Sequence, residues 1–413
     1  MTLGLLHTPL VRCLTGVVAL GALLTTAPAG ASHEPGVRQV ADNCDHSGSS
    51  NATGYASNKR MVRTKSGRQL AVFDPHPSGL NLRWRDPGKG WKNTTRGAVS
   101  DGNIPMTDGP NDRPASIAVT TASGVQRAWI VWAGPDFVHA PSALKMRRLT
   151  QLSNPSGPRI GPEVTLEPQG LGNVRADIAF ERRASGPRGV VTWLHKMSET
   201  SHEVVTAWLS DLSARPILEG RTIHYTTSSD KPTGTLVPTP SGIALVARAG
   251  SLRMFTHWST QDLASWSGGT AGADVASQAK PSAIALSSGA VLAVVESDVI
   301  QHVVEVVRFN AAGSQATTIL ETNAGYRDPS MAVTGDGALL AMVRNSDKAL
   351  LTRRLRGSKW GNDAVELTNE GGGDYAWPNL LKKAGSHVNM LIDAGRCPTN
   401  KNSNAVISYS RSL

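Results

Sequence analysis

The chain has 413 residues, 18% of them charged, with a formal net charge of +10 and a pI near 9.7. It carries 41 Gly and 24 Pro. So many turn-formers are out of place in a helical protein, and the balance favours many short strands. Basic residues are scattered rather than interleaved with aromatics, which argues against nucleic acid and leaves acidic polymers as the expected partner.

In chain order, the first element is a targeting segment. Arg12 precedes an apolar run, Leu14 to Leu24, too short to span a bilayer, and Ala29-Gly30-Ala31 forms a small-residue cleavage site. Residues 1–31 therefore read as a secretory signal peptide. The mature chain, 32–413, reads as one secreted domain with no membrane span. Two cysteines remain, Cys44 and Cys397, and an even pair in an exported chain suggests one disulfide.

From Lys59 onward one unit recurs about every 45 to 60 residues. It has a basic residue, often a Pro, an apolar stretch, a Gly-containing turn and a second apolar run. The clearest copies start at Arg113, Lys280 and Arg327. Weaker ones start at Arg175 and Lys231. The stretch from Lys59 opens the series and that from Trp377 closes it. One or two further short strands follow each copy. Four-stranded units repeated radially describe a β-propeller, here expected to have seven four-stranded blades. The last unit has only three strands of its own. Gly36 to Ala41 can supply the fourth, so segment 32–54 is expected to close the ring, with Cys44 and Cys397 tethering it.

Within the first unit, "NLRWRDPGKGWKN" (Asn81 to Asn93) contains Asp86, Gly88 and Trp91 in the spacing D-x-G-x-x-W. This resembles the Asp-box of sialidase-like (BNR-repeat) propellers, S-x-D-x-G-x-T-W, with Trp84 and Gly90 in place of the Ser and Thr. "STQDLASW" (Ser259 to Trp266) and "LRGSKW" (Leu355 to Trp360) are degenerate echoes. In that family the box is structural. The Asp accepts backbone N–H bonds, the Gly takes a positive φ and the Trp packs between blades, on the face opposite the active site. "YRDPS" (Tyr326 to Ser330) is similar to short segments of propeller glycosidases. The chain lacks their other signatures, so the resemblance carries over no complete catalytic set.

Residues that open each first strand or close each second strand are the candidate site. Arg60, Arg113, Arg175, Lys231, Lys280 and Arg327 occupy the opening positions and are expected to form a cationic ring at the channel mouth. Arg113, Arg175, Arg327 and Lys280 are the expected ligand-binding set. Each cation could equally pair with a nearby Asp. Carboxylates on the same face are Asp112, Asp136, Asp177, Glu296, Asp298, Asp328, Asp374 and Asp393. Asp177, Asp328, Glu296 and Tyr375 are the candidate catalytic groups, the last two because the resemblance implies a tyrosine activated by a glutamate. His76, His139, His195 and His202 sit in plausible loops, and a His with a Tyr and an arginine-held uronate would suit a polysaccharide lyase. No HExxH, EF-hand, Cys/His cluster or phosphate loop is present, so neither metal nor cofactor is expected. The expected function is a secreted, monomeric, sialidase-like propeller that acts on or binds an anionic glycan at one central cationic site, with glycoside hydrolysis as the leading reading. The alternatives are a non-catalytic carbohydrate- or protein-binding propeller, or a uronan lyase.

Overall fold

A computed structural model describes residues 37–39, 59–73, 80–93, 103–104, 115–133, 143–168, 172–198, 200–227, 234–249, 253–259, 266–268, 281–298, 301–311, 315–368, 375–384, 387–394 and 405–413. The described strands are all antiparallel and form seven sheets. Sheet one contains Met61–Arg63, Gln69–Phe73, Leu80–Arg85 and Lys92–Asn93. Sheet two contains Ala115–Ala122, Val125–Trp132, Leu144–Thr150 and Arg159–Glu167. Sheet three contains Asn173–Glu181, Arg188–Ser198, Ser201–Leu209 and Leu218–Thr227. Sheet four runs from Gly234–Thr239 to Trp266–Gly268 and sheet five from Ser282–Ala285 to Ala316–Glu321. Sheet six begins with Tyr326–Thr334 and Gly337–Arg344.

These six sheets are each built from consecutive chain. The remaining sheet is composite: Tyr375–Leu380, His387–Ala394 and Ala405–Ser412 take Val37–Gln39 as their outermost strand, with Val37 opposite Tyr409. The expectation of uniform four-stranded blades is corrected. Asn103–Ile104 adds a fifth strand to sheet one, and Ala364–Leu367 adds one to sheet six. Both pair with the third strand of their sheet and continue its edge beside a two-residue fourth strand. The physical cause is that a two-residue outer strand leaves much of the third strand's hydrogen-bonding edge open, and a second short segment covers it.

Strand burial explains why the sheets stack. Gln69–Phe73 and Leu80–Arg85 are buried at every residue, so both faces of these strands meet neighbours. Apolar clusters join each sheet to the next. Trp129, Val131, Ile178 and Trp193 join sheets two and three, for example. Met61, Phe73 and Trp91 meet Leu391 and Val406 across sheets one and seven, which closes the ring. The architecture is a β-propeller with the first strand of each sheet around the axis. Those first strands begin on one face, here the top, and end at the bottom.

The Asp-box turn lies at the bottom, between the third and fourth strands of sheet one. Gly88 has φ of 74°. Trp91 packs between sheets one and seven, donates through Nε1 to Ser408 Oγ at 2.8 Å, and carries the Arg85 guanidinium 4.7 Å from its ring centroid. The Asp86 carboxylate meets a side chain rather than the expected backbone partner: Arg68 Nε donates to Oδ1 at 2.7 Å. Arg68 also donates to Leu152 O and Asn154 O of sheet two. The turn thus braces sheet one against both of its neighbours. The signal peptide, Cys44, Cys397 and the bridge expected between them lie outside the described residues. No described helix is long and apolar enough to cross a membrane.

Candidate functional site

A belt of polar side chains stitches the innermost strands together. At equivalent positions near the axis lie Arg60, Ser116, Asp177, Thr235, Ser282, Ser330 and Asn379, all buried. Several accept hydrogen bonds from the backbone of an adjacent sheet. Lys59 N donates to Ser116 Oγ (3.0 Å), Leu236 N to Asp177 Oδ2 (2.8 Å), Met331 N to Ser282 Oγ (3.1 Å) and Leu380 N to Ser330 Oγ (3.1 Å). Arg60 N donates more weakly to Asn379 Oδ1 (3.4 Å). Each such bond satisfies a backbone donor where two curved sheets part from one another.

Two lysines reach across this belt. Lys59 Nζ passes from sheet one to sheet three and meets Asp177 Oδ2 at 2.5 Å and Ile178 O at 3.0 Å. Lys382, after the first strand of sheet seven, donates to Ser282 Oγ of sheet five at 2.5 Å. Burial depresses both amines, with Asp177 opposing the shift. Lys382 falls to about 7, because the Lys59 ammonium adds repulsion to burial. Asp177, expected as a catalytic group, is fully enclosed here, with Lys59, Leu236 N and Thr235 Oγ1 all on its Oδ2.

The top face between sheets five, six and seven gathers the other expected residues. Glu296, near the end of the second strand of sheet five, receives His302 Nδ1 on Oε1 at 2.6 Å. Its Oε2 lies 3.4 Å from Asp328 N. Arg327 Nη1 is 3.7 Å from Asp328 Oδ2, and Arg327 Nη2 donates to Tyr375 O at 3.4 Å. Arg327 keeps 22% of its side chain exposed, and its Nε has no hydrogen-bond partner among the described residues. His302 and Asp328 both hold left-handed backbones, at φ of 55° and 53°. Such conformations cost energy in non-glycine residues and collect where a side chain must be aimed. Asp328 lies in a bulge: the register of sheet six shifts between Arg327 and Ser330. Sheet three has the same irregularity between Val174 and Asp177, with Arg175 at φ of 55°.

Glu296, Asp328, Arg327 and Tyr375 are therefore brought together, and Asp177 is not among them. Tyr375 contributes its carbonyl, and its ring packs against the apolar cluster between sheets six and seven. Of the expected cationic ring, Arg60 and Arg175 are buried and Arg327 is partly exposed. Arg113, Lys231 and Lys280 lie outside the described residues, as do Asp112, Asp136, Asp374, His76 and His139. The backbones of Asp298 and Asp393 are strand-paired at Val303 and Val406. His195, on sheet three, sits 3.7 Å from Glu167, which also receives Arg221 at 2.9 Å. Burial lowers the His195 pKa against the pull of Glu167. His202 is buried. The sequence reading missed His302, Lys59 and Lys382. Only the His302 position, six residues past Glu296 in the same hairpin, carried a local signal. No cluster of metal-binding side chains occurs among the described residues.

No protein-family model matches the chain, and no curated protein matches it. Several solved structures are similar to it. The polysaccharide lyase Uly1 superposes with a TM-score of 0.50 at 9% identity, over 86% of this chain and 90% of that one. The SapL1 lectin, solved with alpha methyl fucoside, gives 0.46 at 11% identity over 79% and 99%. The fucose-specific lectin from Aleuria aurantia gives 0.46 at 11% identity over 75% and 96%. At these identities the likeness concerns architecture alone.

Proposed function

We propose that this chain is a secreted carbohydrate-binding propeller that takes an acidic glycan at the top face, between sheets five, six and seven. The observation that carries this reading is Arg327. It sits at the mouth with only long contacts to its own neighbours and with donors left over, beside the Glu296–His302 pair. A guanidinium in that state suits a sugar carboxylate, and Glu296 with His302 suits flanking hydroxyls.

Binding is favoured over hydrolysis by the state of the carboxylates. Glycoside cleavage asks for a carboxylic acid and a second carboxylate flanking the bond, or a glutamate-activated tyrosine in sialidases. Here both oxygens of Glu296 already face donors, Asp328 faces Arg327, and the Tyr375 ring lies in an apolar cluster. One observation favours a second reading. His302 is oriented through Nδ1 by Glu296, which leaves Nε2 available as a base beside an arginine-held uronate, the arrangement an eliminating lyase needs. The unequal loops around the axis favour one such site over a repeated set.

Calorimetric titration with uronic- and sialic-acid oligosaccharides tests the proposal, run beside assays for new reducing ends and for unsaturated uronate absorbance. Binding at one site without turnover is the expected result, weakened at least tenfold by Arg327→Ala (about 1.4 kcal/mol or more). New reducing ends would establish a hydrolase instead. Unsaturated product lost in His302→Ala would establish the lyase. Several equivalent sites would remove the single-site reading.

A further inference from the structure

The bottom of sheet three holds a cleft of about 240 Å³, at the opposite end of that sheet's strands from the top face. Its walls come from two turns, Arg183 to Arg188 and Trp208 to Leu212, with Glu219 beside them. At the liquid volume of water, roughly 30 Å³ each, it would hold about eight molecules, which is room for one sugar ring rather than a chain.

The cleft is built around Trp208. This indole is half-buried, rests on the apolar cluster between sheets three and four, and donates through Nε1 to Glu219 Oε2 at 3.2 Å. The Arg188 guanidinium stands 5.3 Å from its ring centroid. Gly220 has φ of 58°, and a Cβ there would lie 1.7 Å from Trp208 Cη2. Only glycine lets the backbone pass that close, so the ring position is fixed from below. The turn that forms one wall is stiffened by Ser210 N to Ile217 O (2.9 Å), Ser213 N to Asp211 Oδ1 (2.8 Å) and Arg148 Nη1 to Leu212 O (3.2 Å).

We infer that this cleft is a second saccharide subsite, for a single neutral sugar ring lying against the Trp208 indole beside the Arg188 guanidinium that stands over it. An aromatic surface covers the apolar C–H patch of a pyranose, while interspersed donors and acceptors match its hydroxyls. Arg183 and Arg188 supply donors here and Asp211 and Glu219 acceptors. Two cations balance two anions, so the ligand is uncharged, in contrast to the acidic glycan of the top face. The subsite does not rest on the top-face reading, and either can fail alone.

Saturation-transfer NMR on the full chain with galactose, glucose, mannose, fucose and N-acetylglucosamine provides the test. At least one sugar should receive saturation. The effect should vanish in Trp208→Ala and persist in Arg327→Ala. Gly220→Ala, which pushes the indole aside, should weaken it at least fivefold. If Trp208→Ala does not fold, Glu219→Gln reads the same site from its exposed rim, with the same fivefold loss expected. The proposal is overturned if no neutral sugar receives saturation, if binding survives Trp208→Ala or Glu219→Gln unchanged, or if Arg327→Ala abolishes it.

Discussion

Asp177 shows how a single residue can look catalytic in a sequence and serve the frame in the fold. An acidic residue opening a strand invites an acid–base role, yet this carboxylate is enclosed and holds Lys59 across the axis. Asp177→Asn leaves Lys59 buried without a counter-charge and should cost about 3 kcal/mol or more in chemical denaturation. Acidic-glycan affinity should stay unchanged, because Asp177 takes no part in the Glu296–Asp328 group. Lys382 makes a pH-dependent statement. Its folded pKa is about 7, below its ordinary value of 10.5. Below pH 7 both folded and unfolded chains carry this proton, and the folded chain bears the full cost of burying the charge. Between about 7 and 10.5 the folded chain has released it and the unfolded chain has not. This residue therefore makes stability rise with pH through that window. Lys382→Met should raise Tm most at pH 6 and least near pH 10, as followed by calorimetric melting across that range.

At the scale of elements, the turn after Leu80–Arg85 was legible because its chemistry is local. Gly88 at a positive φ and a tryptophan three residues on need no distant partner to be recognised. The partner of Asp86 was not legible, since Arg68 is placed beside it by the pairing of Gln69 with Arg85, not by a turn motif. A Cβ on Gly88 would meet only open space, so Gly88→Ala tests backbone conformation alone. It should cost about 1 kcal/mol. Trp91→Ala removes a wedge between sheets one and seven together with its bond to Ser408, and should cost about 3 to 5 kcal/mol. Urea denaturation of both variants checks the ranking. The bulges that present Arg175 and Asp328 were invisible in sequence. Each is a register shift between two strands, and neither residue is of a type that favours left-handed backbone strongly enough to announce it.

Over the whole molecule, the last sheet is completed by three residues from far upstream in the chain. Val37–Gln39 covers the edge of Ala405–Ser412. Removing residues 1–40 should uncover that edge, lower Tm and promote association by edge pairing, seen as larger species in size-exclusion chromatography. The repeat of basic residue, apolar stretch and Gly turn determined by itself that the chain is all-β, that its units stack radially, and that the N-terminus completes the last one. Apolar strands in repeated four-stranded units can bury both faces by stacking each unit on its neighbours around an axis. Only the tertiary structure decided which of the described cations remain at the mouth. It buried Arg60 and Arg175, left Arg327 beside Glu296 and His302, and brought Lys59 and Lys382 to the axis. Periodicity reports which face of a strand is covered. What a charge meets is settled by residues far away in the chain, such as Asn389, 304 positions from Arg85, whose Oδ1 accepts from Arg85 Nη2, and such pairings are set only when the ring closes.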